Sequence, residues 1–454
     1  MSTTIEGLAA AVRGRVVQRG DGGYDDARAL YNAMIDKHPA AIAYCLDEQD
    51  VAAAVRFANE HGLRIAVRGG GHNGGGLGSV DDGLVIDLSE LNTVAVEETA
   101  QIARVGGGTL LKDAIGATHQ YGLTVPVGII GTTGVGGLTL GGGIGHLTRA
   151  FGLTIDTLVA ATVVLADGSI VQCDAEREAD LFWAIRGGGG NFGIVTSFSF
   201  ACRPLTSVLA GPVMYSLEDA AEVMRWYDGF IAEAPDELGG FVSLMSVPPG
   251  PPFPEELHLR KVCALIWTQP GEEESPALRE ARAYGKPLLD GIAPMPFPVW
   301  NTAFDGLFPS GEQWYWRGEF FDSLPDAAIE QHAAHAAELP TWKSLVHLYP
   351  VDGAAARVGN DETAWAYRDA RWSQVIAGVS PDAADAARIT DWAKSYSDAL
   401  KPYAMAGGYS NFEMDEPSRV RGMYGANYDR LVRIKAQYDP DNVFRVNQNI
   451  PPAA

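Results

Sequence analysis

The residue types able to do chemistry gather around glycine. Residues 67–76 read VRGGGHNGGG, where one imidazole, His72, sits among six glycines and follows Arg68. A neutral imidazole nitrogen is a nucleophile. Glycine turns tolerate positive φ and carry no Cβ, so successive backbone N–H groups can converge on an anion. Two further loops of this kind follow, GVGGLTLGGGIG at 134–145 and GGGGNFG at 187–193. One such loop is explained by a tight turn, whereas three point to a long ligand that carries a pyrophosphate and is surrounded by backbone. Gly188, Gly190 and Gly193 satisfy the dinucleotide pattern G-x-G-x-x-G, but that fingerprint needs a strand before it and a helix after it. Here the helical DLFWAIR precedes and the strand-like IVTSFSF follows, so the pattern is rejected. No G-K-[S/T] occurs, which excludes a P-loop. Cys45, Cys173, Cys202 and Cys263 lie far apart with no C-x-x-C pair, and they are expected to be small buried hydrophobes.

The elements that must position these loops alternate strand and helix signals. LRIAVR (63–68) and GLVIDLS (83–89) are rich in β-branched residues and predict strands. VAVEETAQIARVGGG predicts a strand, a turn and a strand, and TLLKDAIGATHQYG a helix closed by glycine. ATVVLADGSIVQC predicts a hairpin with Asp167-Gly168 in a type I′ turn. Near residue 205 the texture changes: glycine thins out while proline and aromatic residues rise. Beyond it, strands such as VCALIWTQ and SLVHLYP mix with helices such as LPDAAIEQHAAHAAEL, an α+β pattern. His332 and His335 are three apart on that helix, but no third ligand is suggested nearby; they are read as surface residues, and no metal is expected. The last segment begins as an amphipathic helix and stops at Asp439-Pro440.

With 454 residues, 46% hydrophobic and 20% charged, the chain has the composition of a folded protein with more than one ordinary core. A formal charge of −23 without a basic cluster disfavours nucleic acid and anionic membrane surfaces. The start shows no signal pattern and no stretch reaches membrane-span length, so a cytoplasmic location is expected. Nothing sets the oligomeric state.

Four runs carry a family resemblance: VRGGGHNGGG, GVGGLTLGGGIGHLTRAFGLTIDTL, LFWAIRGGGGNFGIVTSFSF and the ending YDPDNVFRVNQNI. In this order they resemble the berberine bridge enzyme-like branch of the vanillyl alcohol oxidase flavoproteins, with the middle of the chain matching least. The resemblance implies a PCMH-type FAD-binding domain in two parts, 1–205 and 409–454, with an α+β substrate domain, 206–408, inserted on an antiparallel sheet. It implies that the loop after Arg68 wraps the FAD pyrophosphate through Gly69, Gly70, Gly71, Asn73 and Gly74, and that His72 is bonded to the 8α-methyl of the flavin. By the same resemblance Gly128, Thr132, Thr133, Gly136, Gly137, Gly141, Gly142, Gly145, Val195, Asn411, Asn447 and Asn449 complete the cofactor site.

The sequence departs from the family in places. Many members hold FAD through a second bond to cysteine, and Ile130 stands at that position, so one link is expected and a less oxidising flavin with it. Thr133 matches the position held to govern oxygen access, which favours an oxidase. Leu138 replaces a flavin-contacting histidine of some plant members. The Y-x-N-Y motif resembles YSNF, with Tyr409 nearest the reacting carbon, as base or as an orienting group, Asn411 beside the flavin, and Phe412 in place of the second tyrosine. Trp314 and Trp316 alternate along a strand and either face the pocket or fill the sheet core; His146 either borders the pocket or is an ordinary loop histidine. The implied function is oxidation of a small organic molecule by hydride transfer to flavin N5, with dioxygen as acceptor and hydrogen peroxide as product. The alternatives are a dehydrogenase using another acceptor, or a flavin-binding protein without turnover.

Overall fold

Short β-branched runs build the first layer. The computed structural model describes Ile5, residues 7–414 and residues 416–453; residues 1–4, with which the expected N-terminal part begins, lie outside this set, as do Glu6, Asp415 and Ala454. Val16–Gln18 (β1), Ala41–Tyr44 (β2), Ile65–Arg68 (β3) and Leu84–Asp87 (β4) form a sheet in the order β1-β2-β4-β3. β4 lies parallel to both β2 and β3. Helix Glu48–Glu60 makes the crossover between β2 and β3; the Asp47 carboxylate caps it by accepting from the N–H groups of Gln49 and Asp50, and Val51, Ala54, Val55 and Ala58 are buried in the core of this layer.

The second sheet is antiparallel. It comprises Val94–Glu97 (β5), Ile102–Gly106 (β6), Leu158–Val164 (β8), Ile170–Asp174 (β9) and Ile194–Ala201 (β10), ordered β5-β6-β10-β8-β9, while Leu123–Thr124 (β7) pairs with Arg203–Pro204 (β11). The β8–β9 hairpin forms where expected, but its turn differs. Of its residues only Gly168 has positive φ, 78°, and the Leu165 N–H donates to the Ser169 carbonyl, so the loop spans Ala166, Asp167 and Gly168. A type I′ turn needs positive φ at both central residues. Here Asp167 keeps negative φ and its carboxylate accepts from the Ser169 N–H at 2.8 Å, which favours the three-residue loop.

The third sheet holds Ser207–Ser216 (β12), Gly239–Ser246 (β13), Lys261–Pro270 (β14), Leu289–Asp290 (β15), Ala293–Pro296 (β16), Gln313–Phe321 (β17), Leu345–Pro350 (β18) and Trp372–Ser380 (β19). Its order is β15-β12-β14-β13-β18-β19-β17, with β16 also on β12, and every pairing is antiparallel. Side chains of a strand alternate between faces. Tyr315, Phe321, Val346, Leu348 and Ile376 share a core with the helices Ala220–Glu233, Asp326–Ala337 and Ala386–Leu400. Trp314, Phe320, Leu345, Tyr349, Val375 and Ala377 belong instead to the core built by the second sheet and the glycine loops. One face of this sheet therefore closes over the loops.

His332 is not a surface residue. It is fully buried between two helices, with Nδ1 2.7 Å from the Tyr396 hydroxyl, and loss of solvation pulls its pKa down to about 3. The four cysteines are free and buried, as composition suggested. Among the described residues no helix is long and apolar enough to cross a membrane.

Candidate active site

The chain leaves β3 at Arg68 and enters the glycine loop. Arg68 is buried and its Nε donates to the Asp87 carboxylate at 2.5 Å, which fixes the start of the loop. None of the backbone N–H groups from Gly69 to Gly74 donates to an acceptor among the described residues. The amide of Asn32, fully buried, donates from Nδ2 to the carbonyls of Gly74 and Trp314 and accepts from the Trp314 N–H, tying the loop to β17. Trp316 lies on Gly74, where a Cβ would come within 2.6 Å of the indole. A Cβ on Gly70 would come within 2.3 Å of Gly134 N, so the first two loops cross backbone to backbone, a contact only glycine permits.

His72 stands at that crossing. Thr132 Oγ1 is 3.1 Å from its Nε2, Thr133 Oγ1 is 3.4 Å from its Nδ1, and Tyr31 stacks on the ring at 3.9 Å. Loss of solvation outweighs the threonine contact and pulls the imidazole down to about 4, so it is neutral at pH 7. Tyr31 is held by its hydroxyl donating to the Phe308 carbonyl and touches Trp314 at 5.3 Å. The neighbouring turn is clamped by the Gly131 N–H donating to Asp305 at 2.6 Å and by Asn301 donating to the Gly128 carbonyl at 2.8 Å. Ile130 packs against the hydrophobic core beside it.

Tyr409 is brought to the other end of the second glycine loop. Its hydroxyl accepts from the Gly143 N–H at 2.7 Å and from Asn411 Nδ2 at 2.8 Å, and Asn411 also donates to the Leu138 carbonyl. Burial still pushes the phenol up to about 12 despite these donors. Gly141 packs on Asn411, Gly142 (φ 131°) on Trp365 and Tyr409, Gly145 on Val127 and Gly136 on Gly107. Gly137 faces open space. His146 is buried among Trp300, Phe304 and Phe241, and burial pulls it down to about 3.

The third loop and the chain end meet beside Asn191, whose amide donates to the Gly188 and Gln448 carbonyls and accepts from the Ile450 N–H. Asn447 donates to the Gly190 carbonyl, and the side-chain oxygens of Asn447 and Asn449 are buried without a partner among the described residues. Val195 lies on β10, with its carbonyl against Gly107.

Residues 39–174 match the model of an FAD binding domain, and residues 408–451 match a model described as berberine and berberine like. An uncharacterized FAD-linked oxidoreductase of Bacillus subtilis is 32% identical over 450 residues, 97% of each chain. The chain belongs to the berberine-like FAD-linked oxidoreductases. The (R)-6-hydroxynicotine oxidase of Paenarthrobacter nicotinovorans is 29% identical over 97% of each chain. A crystal structure of 6-hydroxy-D-nicotine oxidase from Arthrobacter nicotinovorans superposes with a TM-score of 0.85 at 27% identity, covering 97% of this chain and 98% of that one. The fold of this FAD-linked oxidoreductase is thus of PCMH type, with the antiparallel third sheet as its inserted layer.

FAD fits the residues present. The free amides of 69–74 offer donors for a diphosphate, the open faces of Gly137 and Gly190 leave room for a ligand, and the buried oxygens of Asn447 and Asn449 can accept hydrogen bonds. Sequence reasoning overlooked Asn32, Tyr31 and Asp305, which hold the loops from outside them, and also His347 and Tyr349. The last two had a signal: two residues apart in SLVHLYP, they share one face of a strand.

Proposed function

We propose that this oxidoreductase is an oxidase of a small organic molecule, an alcohol, amine, phenol or hydroxylated heterocycle, and that it holds FAD through one bond between His72 and the 8α-methyl. The observation that carries the proposal is His72 itself: a neutral imidazole, fixed by Thr132, Thr133 and Tyr31, within a loop whose amides are free to bind a diphosphate. Bound FAD would supply the acceptor for a hydride from the substrate carbon, with dioxygen as the terminal electron acceptor and hydrogen peroxide as the product. Gly69, Gly70, Gly71, Asn73 and Gly74 bind the diphosphate, with Thr132, Thr133, Gly136 and Gly137 from the second loop and Asn447 and Asn449 from the chain end. Arg68 positions that loop through Asp87. Ile130 leaves the site without a second attachment. Of the two roles open to Tyr409, orientation fits its surroundings better, because a phenol near 12 removes protons poorly at neutral pH. Its hydroxyl holds Gly143 and Asn411 in place. Trp316, seated on Gly74, walls the cleft, and Trp314 supports it.

We divide the chain into an FAD-binding part, 1–205 and 409–454, and a substrate part, 206–408. The relatives named as oxidases of 6-hydroxynicotine and of glucooligosaccharides support the small-molecule reading. An anaerobic screen of alcohols, amines, phenols and hydroxylated N-heterocycles, followed by loss of oxidised flavin absorbance, tests it. Bleaching followed by peroxide formation in air is expected. Bleaching without peroxide would make the protein a dehydrogenase, and no bleaching in any class would remove the turnover claim.

A further inference from the structure

Strand register fixes which side chains face the glycine loops. Across β18, β19 and β17 the rows on that face are Leu345, Ala377 and Trp316, then His347, Val375 and Gly318, then Tyr349, Ser373 and Phe320. Trp316 touches Gly74, while a Cβ on Gly318 would meet Phe412 at 2.9 Å. The middle row therefore runs between the His72 loop and the Tyr409–Phe412 segment; His347 is its one polar side chain on these three strands, and Ser243 stands opposite it on β13. His347 is only 5% exposed and is flanked by Phe241 at 4.8 Å. The Tyr349 ring is tilted against Phe241 at 4.7 Å and lies 5.9 Å from Phe412.

The Tyr349 hydroxyl is 2.7 Å from His347 Nδ1 and has no other acceptor among the described residues. The O–H therefore donates to Nδ1, which places the ring proton on Nε2. That Nε2–H has no protein acceptor among the described residues and, unlike Nε2 of His146 and of His332, is not sealed from solvent, so it is free to donate outward from the sheet face. Extending the oxidase reading, we propose that His347, held by Tyr349 as the Nε2–H tautomer, recognises the substrate by donating to a neutral carbonyl or phenol oxygen on a largely apolar, ring-containing molecule. Tyr349 is the positioning residue. The flanking rings and Val375 supply the apolar surface. Burial pulls His347 down to about 3, so the ring stays neutral, and a carboxylate, which would favour the charged ring, is poorly matched.

The test uses the flavin-loaded enzyme and two probes, 4-methylphenol and toluene, titrated by perturbation of the flavin absorption spectrum. The expected result is that His347→Leu weakens 4-methylphenol about tenfold or more and leaves toluene unchanged, while His347→Gln, which keeps a donor, loses much less. In spectra of ¹⁵N-histidine-labelled enzyme, wild type shows His347 protonated at Nε2 alone, and Tyr349→Phe mixes the tautomers. Should His347→Leu lose its flavin, the Gln variant and the tautomer spectra still decide. Parallel loss of both probes, no preference for 4-methylphenol in wild type, or an Nδ1–H tautomer there would overturn the proposal. Because binding is read without turnover, an enzyme that oxidises nothing in the substrate screen would leave this result interpretable.

Discussion

Asn32 and Trp314, 282 residues apart in sequence, exchange two hydrogen bonds: Asn32 Nδ2 donates to the Trp314 carbonyl at 3.0 Å and Asn32 Oδ1 accepts from its N–H at 3.1 Å. With the same amide bound to the Gly74 carbonyl, one buried side chain couples the His72 loop to the third sheet. Replacing it with alanine takes this partner from four backbone groups, the Met34 N–H included, at about 1–3 kcal/mol each before water or relaxation compensates. Asn32→Ala should lower the unfolding midpoint and weaken flavin retention, whereas Asn→Ala at the exposed Asn92 should do neither. Equal behaviour of the two variants in thermal melts would remove this coupling role.

Tyr409 accepts two hydrogen bonds and is pushed up to about 12. Tyr409→Phe should keep flavin reduction within about an order of magnitude of wild type and leave the pH profile of that step unchanged, since general bases typically contribute about 10²–10⁴. Loss of a titration from the profile, with a rate drop of that larger size, would restore the base assignment.

Lys435 and Asp439 form an ion pair at 2.6 Å with no exposed side-chain surface; the lysine also donates to the carbonyls of Asn191 and Phe444, and the aspartate accepts from the N–H groups of Val443 and Phe444. The pair anchors the chain end against the third glycine loop. Lys435→Met should destabilise the protein by about 3–5 kcal/mol, because Asp439 is left charged and buried. Denaturant unfolding measures this, and a change below about 1 kcal/mol would show that the segment is held by other contacts.

Acid should unfold the protein early. Burial lowers His146, His332 and His347 to about 3 and His72 to about 4, so each contributes stability that is complete above the unfolded value near 6.5 and is lost as pH falls from there. Glu413, raised by burial to about 8, acts in the opposite direction between that value and its unfolded one. Four protons against one leave stability falling by on the order of 3–4 kcal/mol per pH unit below pH 6. Melting temperatures measured from pH 7 to pH 4.5 should drop steeply, and a flat profile would contradict the buried neutral histidines.

Much of this architecture was legible because local chemistry dictates it. Strands at 65–68 and 84–87, the helix at 111–119 and the stop at Asp439-Pro440 follow from β-branching, periodicity and proline. His72 stood out because glycine is wasted unless backbone must approach something closely. What escaped notice depends on contacts remote in sequence. Asn32 looks like any loop asparagine until β17 arrives beside it, and His332 reads as a surface residue until the helix carrying Tyr396 covers it. The type I′ turn failed for a local reason, the Asp167 side chain competing for the Ser169 N–H.

The attachment of the cofactor is decided by one comparison of intact masses under denaturing conditions, wild type beside His72→Ala. Wild type should carry the mass of one covalently bound FAD, with yellow colour remaining in the acid-precipitated pellet, and the variant should show the bare polypeptide with its colour released. An unmodified wild-type mass, or an adduct that survives in His72→Ala, would contradict a single bond through this imidazole.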